Sequence, residues 1–182
     1  MAQVLAISPL LKGGWRPGPF IGMSSGTTSI GRQPVHNHQP VDYHCPFCSL
    51  SAEQAPDVVY RTERVFALVS PRWWPNNPGH LLIIPIAHHE NLYDLPASEG
   101  LAVFEATRLL ARTMRRVYGC DGVSTRQHNE PSGGQDVWHF HQHLFPRYPH
   151  DNLYGTSAEP EWLPSHQRQE FATKPRAALN QH

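Results

Sequence analysis

The amino-acid sequence predicts an α+β domain in which an antiparallel sheet of about five strands packs against one long helix. Two observations support this fold class. Short runs rich in valine, isoleucine and aromatic residues, each bounded by turn-forming residues, lie on both sides of one long segment with helical spacing of apolar positions. Strands that flank one helix, rather than alternate with several helices, are typical of an antiparallel sheet.

Three strands are predicted before the helix. The segments Val58–Thr62 and Val65–Val69 are close enough along the chain to form a hairpin. The apolar segment Leu81–Ile86 is typical of a buried strand. Pro85 is expected near the end of that strand, because a proline cannot donate a hydrogen bond to a neighbouring strand.

The helix is predicted from Glu99 to Tyr118. Ser98 precedes it as a candidate N-cap, and Gly119 follows it as a candidate terminating glycine. Two further strands are predicted at Val123–Gln127 and Val137–Phe145, with a turn-rich loop between them. The apolar positions that give the helix a core-facing side are Val103, Ala106, Leu110, Met114 and Val117.

The chain divides into three zones. Residues 1–40 are rich in Gly, Pro, Ser and Thr and lack apolar periodicity, which predicts a disordered arm. Met23 within this arm is an alternative start of translation. Residues 41–150 contain the predicted folded domain. Residues 151–182 are polar and are expected to form a tail that either docks on the domain or is free.

Composition argues against several classes of protein. Lys plus Arg and Asp plus Glu are equal at 15 each, so the chain as a whole lacks the basic charge of a nucleic-acid-binding protein, and only the C-terminal part is locally basic. No apolar run is long enough to span a bilayer, and the start lacks the basic segment of a signal peptide. Three cysteines do not make a disulfide framework, and two of them with C-x-x-C spacing favour a bound metal in a reduced, cytoplasmic compartment.

Three histidines alternate in the segment His139-Phe140-His141-Gln142-His143. On a strand, their imidazoles would share one face with neighbours roughly 6–7 Å apart, at ~3.3 Å per residue. A face so rich in imidazole favours a metal site, a nucleophile or both. A solvated polar strand face is the alternative.

The cysteine pair Cys45 and Cys48 has the spacing of two zinc ligands. Zinc takes four nitrogen or sulfur ligands, and the sequence has no second C-x-x-C, so the other two ligands would be histidines. The candidates are His88, His89 and His139. A redox-active dithiol and a site without metal are the alternatives, although the βαβ context of a redox motif is missing.

The segment His139–Phe145 resembles the histidine triad (HIT) motif, in which three histidines alternate with apolar residues. Other parts of residues 41–150 resemble the same family in one consistent order. They are the cysteines of the zinc-binding bacterial members at Cys45 and Cys48, the glycine–histidine strand at Pro78–Pro85, and the phosphate-side loop at Asn129 and Gly134-Gln135.

This resemblance implies a HIT-like fold and a nucleotide hydrolase or nucleotidyltransferase, acting at the α-phosphate of a nucleoside phosphoramidate or dinucleoside polyphosphate. His141 would be the nucleophile and form a covalent nucleotidyl-histidine intermediate. His143 and His80 would bind the phosphate oxygens, and Asn129 and Gln135 would add neutral donors. The residue type agrees, because a neutral imidazole is nucleophilic near pH 7.

The resemblance also implies a structural zinc ion and a homodimer. The zinc ligands would be Cys45, Cys48, His88 and His139, which leave no open coordination position. Two other functions are considered. One is a zinc-stabilised nucleotide-binding module with little turnover. The other is a metallohydrolase in which the three triad histidines hold an open catalytic metal.

Two positions depart from the family pattern. Gln142 stands where the motif has an apolar residue, so its side chain needs a polar partner or water. Asp136 follows Gln135 where many members have Ser or Thr, and its carboxylate would repel phosphate unless protonated or turned away. Between the second and third strands, Trp73 and Trp74 are expected either to stack on a base or to cover the core or a dimer partner.

Overall fold

The computed structural model describes residues 38–50, 55–159 and 162–180. The predictions made for residues 1–37, which include most of the predicted arm, lie outside the described residues. The described part of the chain contains five strands, two α-helices and one 3-10 helix. In chain order these are β1 (Val58–Arg61), β2 (Val65–Val69), β3 (Leu81–Pro85), α1 (Ala97–Tyr118), β4 (Gly122–Gln127), the 3-10 helix Pro131–Gly133, β5 (Gln142–Arg147) and α2 (Ser165–Leu179).

The five strands form one antiparallel sheet in the order β1-β2-β3-β5-β4. Together with α1, this sheet confirms the predicted α+β fold. β5 lies between β3 and β4, so His143 is opposite Leu82 on one side and opposite Arg126 on the other. The sheet register therefore brings an arginine of β4 beside the third histidine of the triad.

The last strand begins later than the sequence predicts. β5 starts at Gln142 rather than Val137, so that of the three alternating histidines only His143 lies on it. The preceding segment bends, because the backbone N–H of His139 donates to the Val137 carbonyl (2.8 Å) and that of Phe140 donates to the loop after β3 (2.6 Å). The expectation that all three histidines lie on one strand is therefore wrong.

The long helix α1 begins at Ala97, slightly before the predicted start at Glu99. Ser98 lies inside the first turn, and the N-cap is Pro96, so the prediction for Ser98 is wrong. Pro96 needs no side-chain acceptor to start the helix, because its ring fixes a compatible φ and its carbonyl accepts from the N–H of Glu99 (3.0 Å). Gly119 ends the helix with φ 66°, the left-handed conformation that glycine permits, as predicted.

The two faces of the sheet bury different side chains, because neighbouring residues of a strand point to opposite faces. On β3, Leu81 and Ile83 belong to the core that α1 covers. Leu82 and Ile84 belong to a second cluster on the other face, together with Phe47 of the cysteine loop. The candidate site lies on this second face.

Helix α2 is an element that the sequence analysis did not predict, and it packs against α1, β1 and β2. Its Phe171 covers Gly79, where φ is +77° and an added Cβ would overlap the phenyl ring. The Phe171 ring also meets Trp73 edge to face at 4.8 Å, and the backbone carbonyl of Phe171 accepts from the Tyr118 hydroxyl (2.6 Å).

The boundary between domain and tail at residue 150 stays a prediction. Neither described helix has the length and apolar character needed to cross a membrane.

Candidate active site and metal centre

The structure brings together the four residues that the sequence analysis assigned to a metal. The ligand atoms of Cys45, Cys48, His88 and His139 all lie within 4.8 Å of one another. Cys45 Sγ is 3.3 Å from His139 Nδ1, and Cys48 Sγ is 3.2 Å from His88 Nδ1. His89, the third histidine candidate, is not part of this cluster.

The hydrogen bonds of the two histidines prepare them to act as ligands. His139 Nε2 lies 3.0 Å from the Pro85 carbonyl and His88 Nε2 lies 3.0 Å from the side-chain oxygen of Gln39. Both oxygens can only accept, so each Nε2 carries the proton and each Nδ1 presents a lone pair to the thiols. Fixing the tautomer in this way through an outer hydrogen bond is typical of histidines that ligate metals.

Electrostatics at the cluster also suit a divalent cation. Burial lowers the pKa of His139 to about 4, which keeps the imidazole neutral at pH 7. Burial, and then the neighbouring Cys45, raise the pKa of the Cys48 thiol to about 11. A Cys48 thiol that resists losing its proton beside the neutral imidazole of His139 needs a positive charge to become a thiolate. A four-ligand set of sulfur and nitrogen fits zinc.

Among the described residues, the second triad histidine, His141, forms a side-chain hydrogen bond through one ring nitrogen only. Its Nδ1 lies 2.7 Å from the carbonyl oxygen of His139, which can only accept, so Nδ1 carries the proton and Nε2 has the free lone pair. Burial lowers the pKa of His141, which favours the neutral and nucleophilic ring. The ring of Phe47 meets His141 edge to face at 5.4 Å and fixes its plane.

The other two predicted catalytic histidines lie beside His141. The centroid of His143 is 5.0 Å from that of His141 and 5.6 Å from that of His80, on which it stacks. Burial, followed by Arg126, lowers the pKa of His80 to about 3. Three buried ring nitrogens have no hydrogen-bond partner among the described residues. They are both nitrogens of His80 and Nδ1 of His143.

Arg126 of β4 is a functional candidate that the sequence analysis missed. Its guanidinium lies over the rings of Trp74 (5.5 Å), Phe145 (5.2 Å) and Tyr154 (4.8 Å). It contributes to lowering the pKa of His143 as well as that of His80. A fixed cation beside neutral imidazoles creates a positive potential that favours anions.

A cavity of about 200 Å³ opens in front of the triad. His141 and His143 lie in its wall, and the rest of the wall is mostly apolar. Trp74 also lines it, and its ring meets His80 edge to face at 5.5 Å, whereas Trp73 packs on α2. The two tryptophans therefore take different roles, since only Trp74 lies in the cavity wall. The remaining lining residues include Phe47, Leu50, Asp57, Leu68, Arg72, Leu82, Asp136, Val137, Trp162 and Arg168.

Asn129 and Gln135, the predicted phosphate-side donors, are hydrogen-bonded to neighbouring residues and to the loop between β3 and α1. The Asn129 side chain accepts from the backbone N–H of Leu92 (2.8 Å) and pairs with the side chain of Gln127. The Gln135 amide donates to the carbonyl of Glu90 (2.5 Å) and its oxygen accepts from a backbone N–H. Neither residue lines the cavity. Their predicted contact with substrate stays a prediction.

The two departures from the family pattern both find partners. The Gln142 side chain donates to the carbonyl of Arg126 (2.7 Å), which satisfies the polar group at an otherwise apolar position. Asp136 lines the cavity and pairs with Arg72, whose Nη1 is 3.1 Å from the carboxylate. Its negative charge is therefore partly balanced at the cavity wall.

The catalytic-metal hypothesis for the three triad histidines does not fit this geometry. His139 directs Nδ1 to the thiols and Nε2 to a backbone carbonyl. His141 uses Nδ1 for the carbonyl of His139. The ring nitrogens of His139 face the thiols and a backbone carbonyl rather than His141 and His143, so the structure favours the cysteine cluster as the metal site.

Comparison with known proteins agrees with this site. The family model for the HIT domain matches residues 51–150. The curated protein called "Protein hit" from Bacillus subtilis (strain 168) is 33% identical over 113 residues, which cover 62% of this chain and 77% of that protein. The bis(5'-adenosyl)-triphosphatase of Saccharomyces cerevisiae is 34% identical over 97 residues, which are 53% of this chain but only 46% of the yeast enzyme.

Two solved structures are also similar to this chain. A Zn-bound histidine triad family protein from Mycobacterium smegmatis is 29% identical with a TM-score of 0.62, and the match covers 75% of this chain and 94% of that protein. A Hit-like protein involved in cell-cycle regulation from Bartonella henselae, solved with an unknown ligand, is 30% identical with a TM-score of 0.59, covering 67% of this chain and 85% of that one.

Proposed function

We propose that this chain, which belongs to the HIT domain family, is a nucleotide hydrolase or nucleotidyltransferase that uses His141 as its nucleophile. The observation that carries the proposal is the hydrogen bond that orients the His141 ring. With Nδ1 protonated and bonded to the His139 carbonyl (2.7 Å), Nε2 has its lone pair free at the wall of a cavity. A neutral imidazole held in this way is a competent nucleophile at pH 7.

The reaction has two balanced steps. Nε2 of His141 attacks the α-phosphorus of a nucleoside phosphoramidate or dinucleoside polyphosphate, a phosphorus–nitrogen bond forms, and the leaving group departs with the electron pair of the bond that breaks. Water or another acceptor then forms a bond to phosphorus and gives up its proton to solvent, which balances the proton that the leaving group takes up from solvent, and the electron pair of the phosphorus–nitrogen bond returns to Nε2. The His139 carbonyl stabilises the positive ring of the intermediate through the Nδ1 proton.

The neighbouring groups are placed to hold the phosphate. His143 and His80 are buried beside His141 with ring nitrogens that have no partner among the described residues, so these nitrogens are available to phosphate oxygens. Arg126 adds a fixed positive charge near both rings. Asn129 and Gln135 would bind the phosphate only if nucleotide binding released their side chains from their present hydrogen bonds.

We also propose that one zinc ion is bound by Cys45, Cys48, His88 and His139. Four protein ligands leave no open position, so the ion would have a structural role. It would link the cysteine loop to the segment that carries His141. The support is the converging set of thiols and Nδ1 atoms within 4.8 Å. Such a site requires reduced thiols, which supports a cytoplasmic location.

A homodimer is proposed as well, and the outward face of α1 supports it. Leu101 and Phe104 of this helix are 58% and 64% exposed, which is unusual for two large apolar side chains so close together. Light scattering coupled to gel filtration tests this proposal. The wild type should elute as a dimer and Phe104→Asp as a monomer, whereas a monomeric wild type would contradict it.

One alternative function has specific support. A nucleotide-binding module with little turnover would agree with the loop-bound side chains of Asn129 and Gln135. A substrate panel distinguishes the two functions. Adenosine phosphoramidates and dinucleoside polyphosphates are compared in the wild type and in His141→Ala. We expect turnover in the wild type and a loss of at least about 10⁴-fold in the variant, as for other covalent nucleophiles. Tight binding without turnover in the wild type would favour the module.

A further inference from the structure

The C-terminal segment of the chain runs across the mouth of the candidate active site. Here it is called the strap, defined as residues 156–159 and 162–168. Its backbone bonds to the loop between β2 and β3, since the N–H of Glu159 donates to the Trp73 carbonyl (2.7 Å) and that of Leu163 donates to the Pro71 carbonyl (2.8 Å). The strap lies beyond residues 51–150, which the family model matches.

A buried ion pair anchors the strap to the sheet. Arg168 pairs with the carboxylate of Asp57, and the two side chains are only 14% and 9% exposed. The same guanidinium donates to the carbonyl of Val69 at the end of β2 (3.2 Å) and to the carbonyl of Leu163 in the strap (3.1 Å). One side chain of the strap is thus bonded to the residue before β1, to the end of β2 and to the strap backbone.

The strap contributes an aromatic wall to the cavity. Trp162 lines the cavity that also contains His141 and His143, yet 65% of the residue is exposed. The apolar side chains of Phe47 and Leu82 are also part of the wall of this cavity. An indole that faces a cavity while remaining open to solvent offers a flat apolar surface on which a base can stack.

The size of the cavity limits what it can hold. At about 200 Å³ it is smaller than the ~300–1,000 Å³ of typical drug-sized pockets. The cavity is therefore suited to one nucleoside unit rather than to both halves of a dinucleotide. The histidines at its wall would place the phosphate there, and a leaving group would extend outward past Asp136 and Arg72.

We infer that Trp162 is a specificity-determining residue, which binds the base of the nucleotide whose α-phosphate reaches His141. This inference rests on the proposed function. It assigns a substrate contact to a segment outside the family match, and it identifies the ligand chemistry as a single nucleobase stacked on an indole. Arg168 acts as a positioning residue, because it holds the strap where Trp162 lines the cavity.

Binding of two ligands that differ only by the base tests the inference. Adenosine 5′-monophosphate and ribose 5-phosphate are titrated calorimetrically into the full-length wild type, Trp162→Ala, Trp162→Phe and His166→Ala. His166 is the matched control, because it is exposed in the first turn of α2 and does not line the cavity. Circular dichroism checks that every variant is folded.

We expect Trp162→Ala to weaken binding of the monophosphate about tenfold or more, as for loss of one base–aromatic stack, and to leave ribose 5-phosphate binding unchanged. Trp162→Phe should recover most of the loss, and His166→Ala should match the wild type. In turnover, Trp162→Ala should raise KM with little change in kcat. Equal losses for both ligands, or no loss, would overturn the inference. A wild type that binds and turns over no nucleotide would instead overturn the proposed function itself.

Discussion

The carbonyl oxygen of His139 accepts a 2.7 Å hydrogen bond from Nδ1 of His141, while the ring of His139 directs its own Nδ1 at Cys45 Sγ, 3.3 Å away. One residue therefore belongs to the metal cluster through its side chain and orients the proposed nucleophile through its backbone. The candidate metal cluster and the ring of the proposed nucleophile are therefore connected through one residue, His139.

Removing one thiol tests the metal centre. We expect the wild type to hold about one zinc ion per chain, and Cys48→Ala to lose it. Since metal-binding energy becomes folding energy, the variant should lose thermal stability more than it loses rate in the fraction that stays folded. Elemental analysis and thermal melts measure both effects. Cys120→Ala is the matched control, because this buried thiol lies outside the cluster. Stoichiometric zinc in Cys48→Ala would contradict the assignment.

The buried ring of His80 predicts a pH dependence of stability. Its pKa is about 3 in the folded chain and near 6.5 when unfolded, so the unfolded chain binds more protons between these values. The stability that His80 contributes is complete above about pH 6.5 and is lost as pH falls towards 3, by up to about 1.4 kcal/mol per pH unit. Urea unfolding at several pH values should show a steeper acid loss in the wild type than in His80→Phe. Parallel slopes would show that this ring is not buried neutral.

Disruption of the pair Arg168–Asp57 should cost much stability, because both side chains are largely buried. Arg168→Ala leaves a buried carboxylate without its partner, and we expect the free energy of unfolding to fall by about 3–5 kcal/mol. The double variant Asp57→Asn with Arg168→Met should lose less than Arg168→Ala alone. Lys174→Ala is the control, because its pair with Glu170 is exposed and worth less than ~1 kcal/mol. Equal losses for the two alanine variants would contradict a buried anchor.

Asp136 predicts a preference among leaving groups. Its carboxylate lies in the cavity wall, where it repels an anionic leaving group more than a neutral amine. Asp136→Ser should therefore raise kcat/KM for dinucleoside polyphosphates about three- to tenfold, the size of a ~1 kcal/mol charge effect, and change phosphoramidate turnover little. Asp121→Ser, on the exposed turn before β4, is the control. If both substrates respond equally in steady-state assays, the carboxylate does not discriminate between them.

Local pattern was sufficient for most of the fold. Strands β1 to β4 and α1 were predicted because apolar periodicity and terminal residues such as Gly119 are properties of short segments. Helix α2 was missed because its buried residues are small, and Pro175 lies within it. The late start of β5 was missed because the bend depends on a bond from Phe140 to His89, which are far apart in the sequence.

The site was predictable where chemistry and spacing coincide. The candidate metal ligands and the grouping of the triad rings followed from residue types, whereas the choice of His88 over His89 came from the resemblance to the HIT family. Arg126 was missed because only the register of β4 against β5 brings it beside His143. Arg168 was missed for a similar reason, since only the packing of α2 brings the strap to the cavity.

Trapping the covalent intermediate tests the central claim most directly. Full-length enzyme is mixed with a substrate labelled at the α-phosphate, quenched in base, where phosphohistidine survives, and digested for peptide mass analysis. We expect the nucleotidyl label on His141 in the wild type and no label in His141→Ala, which should still bind a nucleoside monophosphate because the cavity wall is otherwise intact. Label on another residue, or turnover in His141→Ala at the wild-type rate, would contradict the account.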